Sequence, residues 1–155
     1  MAEAVPEIVE VQGEAAMLAL GARIAAMLMP GDVIALSGGL GAGKTTLTRG
    51  MLSALGLQEE APSPSFAIVQ PYDAPEVSLP VAHVDLYRID DPDDVEQLAL
   101  DEYLEDGVIV MEWPEHMGDA LWPHALRIGI DVMPDGARRL TAQVPEAWRG
   151  RWPLP

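Results

Sequence analysis

The sequence predicts a three-layer α/β domain built on a mixed, mainly parallel central sheet, and three observations carry that prediction. Strand patterns alternate with helix patterns along the chain, which points to strands joined through helical crossovers. At least one strand is a continuous apolar run, as expected where a sheet is covered on both faces. A strand–turn–strand pattern closes the chain and adds antiparallel pairing to the sheet. The 155 residues suit one domain, 1–155, and with 49% apolar and 22% charged residues the composition is that of a globular chain.

Taken in order, Met17, Leu20, Ile24 and Leu28 recur at helical steps between Gly13 and Met29. Pro30-Gly31-Asp32 ends that helix, and Val33-Ile34-Ala35-Leu36 reads as a buried strand. A glycine-rich turn from Gly38 to Gly43 leads into a second helix with Leu47, Met51 and Leu55 on one face and Gly56 at its end. After a polar loop over 57–65, Phe66-Ala67-Ile68-Val69 is a short strand candidate, and Val81-Ala82-His83-Val84-Asp85 is a strand ending in an acid. Asp91-Pro92-Asp93-Asp94 offers N-caps for a helix running to about Leu104. Val108-Ile109-Val110-Met111-Glu112 is an apolar strand that also ends in an acid. The runs Leu126 to Val132 and Arg139 to Val144, around Pro134-Asp135-Gly136, predict a hairpin at a sheet edge. Residues 146–155, with Trp148 to Pro155 lacking any periodicity, read as a loosely held tail.

Charge narrows the function. With 25 acids against 9 bases the net charge is −16, a field that repels phosphate backbones and argues against a broad nucleic-acid-binding face. There is no cysteine, hence no disulfide, thiol nucleophile or Cys-ligated zinc. The acidic N-terminus lacks the pattern of a signal peptide, and the most apolar stretch, Met17 to Met29, is too short to span a bilayer; a cytoplasmic protein is expected. Eight of the nine bases are Arg, Asn is absent, and the only lysine is Lys44.

That lysine stands in Gly38-Gly39-Leu40-Gly41-Ala42-Gly43-Lys44-Thr45, which satisfies G-x-x-x-x-G-K-[ST] between a predicted strand and a predicted helix. Glycines let such a turn fold into a nest of N–H groups aimed at phosphate oxygens, and the helix behind it adds its positive end. Lys44 then supplies charge to the β- and γ-phosphates, and the Thr45 hydroxyl a ligand to Mg²⁺. From the chain's own residue frequencies, an accidental match arises in about one such sequence in two thousand. The fold expectation therefore sharpens to a three-layer fold like that of the P-loop nucleoside triphosphatases (NTPases). Adenine is favoured by elimination, since the [NT]-K-x-D segment that reads guanine needs a second lysine.

Phosphate chemistry of this kind also needs an acid at a strand end, to hold Mg²⁺ or to polarise the attacking water. Asp85 and Glu112 both qualify, and spacing does not choose between the two roles. Ser63-Pro64-Ser65-Phe66 lies where segments that sense a γ-phosphate are found. His83 reads as a structural histidine or a proton carrier, Trp113-Pro114 as packing at a strand end, and Arg88 as a phosphate clamp or an ion-pair partner. His116 and His124 lack metal-ligand spacing and are given no role.

Gly38 to Thr46, Ser63-Pro64-Ser65-Phe66, His83-x-Asp85-x-Tyr87-Arg88 and Glu112-Trp113-Pro114-Glu115, in this order, closely resemble the TsaE (YjeE) family, the small bacterial ATPases of tRNA threonylcarbamoyladenosine biosynthesis. The likeness runs from about Gly13 to Gln143. Two departures stand out: Ser65 where the family usually has Thr, and Leu98-Ala99 where a Leu-Gly pair is common. The resemblance implies ATP held by Gly39, Leu40, Gly41, Ala42, Gly43, Lys44, Thr45 and Thr46, with Glu14 and Gly136 near the nucleotide. It further implies Mg²⁺ on Thr45 and Glu112, with Asp85 beside the γ-phosphate and needed for hydrolysis. The catalytic set is then Asp85, Glu112 and Lys44. The implied partners are TsaB and TsaD, whose complex the ATPase binds and resets, so that tRNA is met only through that complex and no membrane is involved.

Two other readings start from the same loop. A small-molecule kinase would normally carry an arginine-bearing lid, for which no insertion is visible. A nucleotide-gated binding module would use ATP to order residues 57–66 for a partner. Without an arginine finger assignable in cis, intrinsic hydrolysis is expected to be weak.

Overall fold

The computed structural model describes residues 6–39, 41–59 and 68–152. Its strands are β1 (Pro6–Val11), β2 (Val33–Ser37), β3 (Val69–Tyr72), β4 (Val81–Asp85), β5 (Val108–Glu112), β6 (Leu126–Val132) and β7 (Arg138–Gln143). The helices are α1 (Glu14–Ala25), α2 (Lys44–Ala54) and the short α3 (Pro92–Glu96). All seven strands form one sheet in the order β1-β7-β6-β2-β5-β4-β3. The four middle strands β6, β2, β5 and β4 run parallel, and the pairings outside them are antiparallel.

Side-chain alternation along the strands builds the layers. On β2, Ile34 and Leu36 enter one core with Met17, Leu20 and Ile24 of α1 and Leu47 and Met51 of α2. Val33 and Ala35 enter a second core on the other face, with Val95 of α3, Leu100 and Met117. Strand β5 divides the same way, Val108 and Val110 to the first core and Ile109 and Met111 to the second. The sheet is therefore covered on both sides where the parallel strands lie. On β6 only Leu126, Ile128 and Ile130 are buried while Arg127 and Asp131 are exposed, so the layer of α3 ends there.

Four expectations change. Strand β1 was not anticipated: its register sets Glu10 opposite Arg139, and the two form an ion pair at 2.9 Å. Because β1 covers β7, the terminal hairpin lies inside the sheet and not at its edge. The edge strand near residue 68 begins at Val69 and runs through Pro71, which an edge tolerates; Phe66 and Ala67 lie outside the described residues. The helix expected from Asp91 to Leu104 starts as predicted, with the Asp91 carboxylate accepting from the Asp93 N–H at 3.0 Å. It breaks at Ala99, which adopts the left-handed conformation (φ 51°), and resumes as a 3-10 helix over Leu100–Leu104. A Cβ there costs about 1–2 kcal/mol, and this is the position at which the resembled family commonly has glycine.

The tail is also not loose over the described residues. Trp148 is fully buried in the first core, and Trp152 is buried beside it. Arg151 lies 4.0 Å from the Trp148 ring centroid and donates to both oxygens of the buried Asp32 carboxylate at 2.6 and 3.0 Å. Anchoring by single residues leaves no periodic signal. Trp148→Ala is expected to cost about 3–5 kcal/mol in urea denaturation; a loss below about 0.5 kcal/mol would restore the loose tail.

Candidate functional site

The glycine-rich turn leaves β2 at Ser37 and enters α2 at Lys44. Gly43 holds a left-handed conformation (φ 116°), and a Cβ there would sit 2.9 Å from the Met17 side chain. At Gly38 a Cβ would meet the Ile130 carbonyl at 2.8 Å. Both positions therefore require glycine. Among the described residues no side chain caps α2, and no acid occupies its first turn, so its leading N–H groups are available to an external anion.

Strand alternation supplies the acids. His83 and Asp85 follow Val81 on one face of β4, and Glu112 follows Val108 and Val110 on the same face of β5, towards the layer of α1 and α2. The register places Asp85 directly beside Glu112. Both carboxylates are buried, at 7% and 4% exposure, and Lys44 is buried with them at 4%.

Two cavities share the glycine-rich turn. One, of about 300 Å³, is lined by Lys44, Thr45, Thr46, Asp85, Arg88, Glu112 and their neighbours on the turn and strand ends. The other, of about 320 Å³, has Glu14, Met17, Thr46, Gly136 and Arg138 in its walls. Gly41, Gly43 and Thr46 line both. The structure thus gathers Gly41, Ala42, Gly43, Lys44, Thr45, Thr46, Asp85 and Glu112 at one lobe, and Glu14 and Gly136 at the other. Gly39 is exposed on the turn. Leu40 and Ser63-Pro64-Ser65-Phe66 lie outside the described residues.

The lobe with the acids is electrostatically loaded. Burial pushes the Lys44 ammonium below its ordinary range, against the opposing pull of Glu112, Asp85 and Glu115. Its Nζ donates to the Gly38 carbonyl at 2.7 Å and lies 4.0 Å from the Trp113 ring centroid. Burial raises the Asp85 carboxyl, and the charge of Glu112 raises it further. The Tyr87 N–H, donating to Asp85 Oδ1 at 2.9 Å, works the other way, as does the Lys44 charge.

Several site residues carried weak signals in the sequence. Trp113 sits in the left-handed region (φ 60°), which is strained for a bulky residue, and its ring meets Tyr87 at 5.1 Å. Glu115 accepts from the Ser37 hydroxyl at 2.6 Å and ties the end of β5 to the end of β2. His83, fully buried, bonds Glu112 through Nε2 at 2.7 Å. Arg138 belongs to no sequence motif; its Nε donates to the Ala42 carbonyl at 2.9 Å and its Nη1 to the Gly136 carbonyl, joining the β6–β7 turn to the glycine-rich turn. His116 and His124 bond the carbonyls of Leu86 and Gly31, consistent with structural roles. Among the described residues no helix is long and apolar enough to cross a membrane.

Comparison with known proteins places this geometry. The family model described as threonylcarbamoyl adenosine biosynthesis protein TsaE matches residues 11–140. A Streptomyces coelicolor protein named tRNA threonylcarbamoyladenosine biosynthesis protein TsaE is 45% identical over 116 residues, 74% of this chain and 78% of its own length. A Bacillus subtilis protein of the same name is 40% identical over 124 residues, 79% of this chain and 76% of its own. The crystal structure of Bacillus subtilis YdiB superposes with a TM-score of 0.76 at 32% identity, covering 89% of this chain and 84% of that one.

Two predictions come from the geometry alone. Asp85→Asn keeps an acceptor for the Tyr87 N–H and removes a buried charge, so it raises Tm at neutral pH. The sign follows from the raised carboxyl: folding favours the protonated form, so stability falls as pH rises through the native titration. The gain in Asp85→Asn should therefore shrink on acidification towards the ordinary carboxylate range, as thermal unfolding against pH will read. Arg138→Met removes the brace on the glycine-rich turn and should speed hydrogen exchange of the 38–43 amides by about tenfold, by mass spectrometry.

Proposed function

The chain belongs to the TsaE family, and on that premise we propose that it is a Mg²⁺-dependent ATPase of tRNA threonylcarbamoyladenosine biosynthesis that binds and resets the TsaB–TsaD complex. The observation that carries the reading is the meeting of Lys44, Thr45, Asp85 and Glu112 around one cavity at the uncapped start of α2. The adjoining lobe beside Glu14 and Gly136 has room for the nucleoside, and adenine remains the favoured base.

The residues present fit a hard divalent cation. The Thr45 hydroxyl and the Glu112 carboxylate are oxygen donors in the walls of one cavity. Among the described residues no cluster of three or more His, Cys, Asp or Glu side chains forms a self-sufficient cage, and Mg²⁺ commonly takes one or two protein ligands and completes its shell from phosphates and water. When bound, the ion would neutralise charge developing on the β- and γ-phosphates. Lys44 exchanges its bond to the Gly38 carbonyl for the phosphates. The first-turn N–H groups of α2 orient the triphosphate, and the Trp113 ring, 4.0 Å from Nζ, keeps bulk water from the lysine. Asp85 faces the γ-phosphate side and holds the attacking water in line, while Glu112 is committed to the cation. Attack by that water breaks the bond between the γ-phosphorus and the bridging oxygen and releases ADP and phosphate.

A protein with net charge −16 is poorly suited to grip tRNA but suited to dock on a partner with complementary charge. The test is ATP hydrolysis by the chain alone and with TsaB–TsaD. Slow intrinsic turnover, stimulated by the pair and reduced about a hundredfold or more by Lys44→Ala or Glu112→Ala, is expected. Turnover retained in both Asp85→Ala and Glu112→Ala would overturn the site assignment, and ATP consumption that requires an added hydroxylic acceptor would make the protein a kinase.

A further inference from the structure

We propose that His83 is a positioning residue: it fixes the Glu112 carboxylate so that Oε2 is committed to the imidazole and Oε1 is left to face the divalent cation. The proposal rests on the reading of the cation site given above, and it assigns a task to a side chain that this mechanism does not use.

The geometry is specific. His83 is fully buried, Glu112 is 4% exposed, and Nε2 meets Oε2 at 2.7 Å, a hydrogen-bonding distance. The other ring nitrogen, Nδ1, is buried and has no hydrogen-bond partner among the described residues. A bare lone pair is cheaper to bury than an N–H donor, so the tautomer that fits is the one with its proton on Nε2, donated to Glu112. The ring thus has one polar partner, and that partner is the candidate ligand.

Glu112 needs such an anchor because a stronger attraction lies close by. Lys44 and Glu112 are both buried and line one cavity, where opposite charges would be drawn into a direct ion pair. That pair would remove the phosphate-binding charge and the cation ligand together. In the structure Lys44 donates to the Gly38 carbonyl, and Glu112 is tethered to His83. His83 projects from β4 between Val81 and Asp85 on the same face, so the tether reaches Glu112 from the neighbouring strand and stays out of the phosphate cavity. Outer-shell partners of this type typically change metal affinity by about 10–100-fold when removed.

The experiment is binding of a fluorescent ATP analogue to the full chain in EDTA and in Mg²⁺, with Mn²⁺ binding to the nucleotide complex followed by electron paramagnetic resonance. For His83→Phe, which fills the space without a donor, the EDTA affinity should stay within about twofold of wild type. Its affinity for Mn²⁺ and the tightening caused by Mg²⁺ should fall by about tenfold or more. His83→Gln, which retains a donor, should recover part of that loss, and it replaces the Phe variant if that chain does not fold by circular dichroism. An unchanged metal response, or equal losses in EDTA and Mg²⁺, would overturn the proposal in favour of simple packing. If the wild-type chain itself binds no nucleotide, or binds it without any response to Mg²⁺, the cation site fails and His83's role falls with it.

Discussion

The structure turns on an electrostatic vacancy at the start of α2. That helix begins without a side-chain cap from any described residue, without an acid in its first turn, and on a glycine at φ 116°. Its leading amides have no side chain to satisfy them there, so they hold the positive end of the helix open for an anion. Around this point the chain gathers its only lysine and two strand-end carboxylates, all buried. Such an arrangement opposes stability, since burial disfavours the charge on Lys44 and Asp85 alike. It persists because β2, β4 and β5 are gripped on both faces by the two cores, which leave the strand ends little freedom to relax.

Strain and cross-links complete the setting. Trp113, in the left-handed region immediately after Glu112, turns the chain so that its ring lies beside the lysine. The Ser37–Glu115 bond and the Arg138 brace come from opposite sides of the sheet order, yet both secure the turn that follows β2. His83 does the same for Glu112. Glu112 and the glycine-rich turn are thus each held by residues on other elements, the pattern expected where position matters more than stability.

Much of this was legible in the sequence because it is local. Val81 to Asp85 and Val108 to Glu112 are strands with the predicted limits, since apolar runs ending in an acid are short and self-contained. The glycine-rich turn carries its own chemistry in eight consecutive residues. What escaped was set by distant partners. Strand β1 is one-third acidic and is a strand only because Arg139 and its neighbours pair with it. Arg138 reaches across 96 positions to Ala42, and Arg151 across 119 to Asp32, so neither leaves a periodic trace. The break at Ala99 was hidden because the left-handed residue there is not glycine.

The most direct test of the account is a crystal structure of the chain with a non-hydrolysable ATP analogue and Mg²⁺. The γ-phosphate should lie between Lys44 and Asp85, the ion on Thr45 and Glu112 Oε1, and the adenine in the lobe beside Glu14 and Gly136. A nucleotide bound away from the start of α2, or an ion held without Glu112, would contradict it.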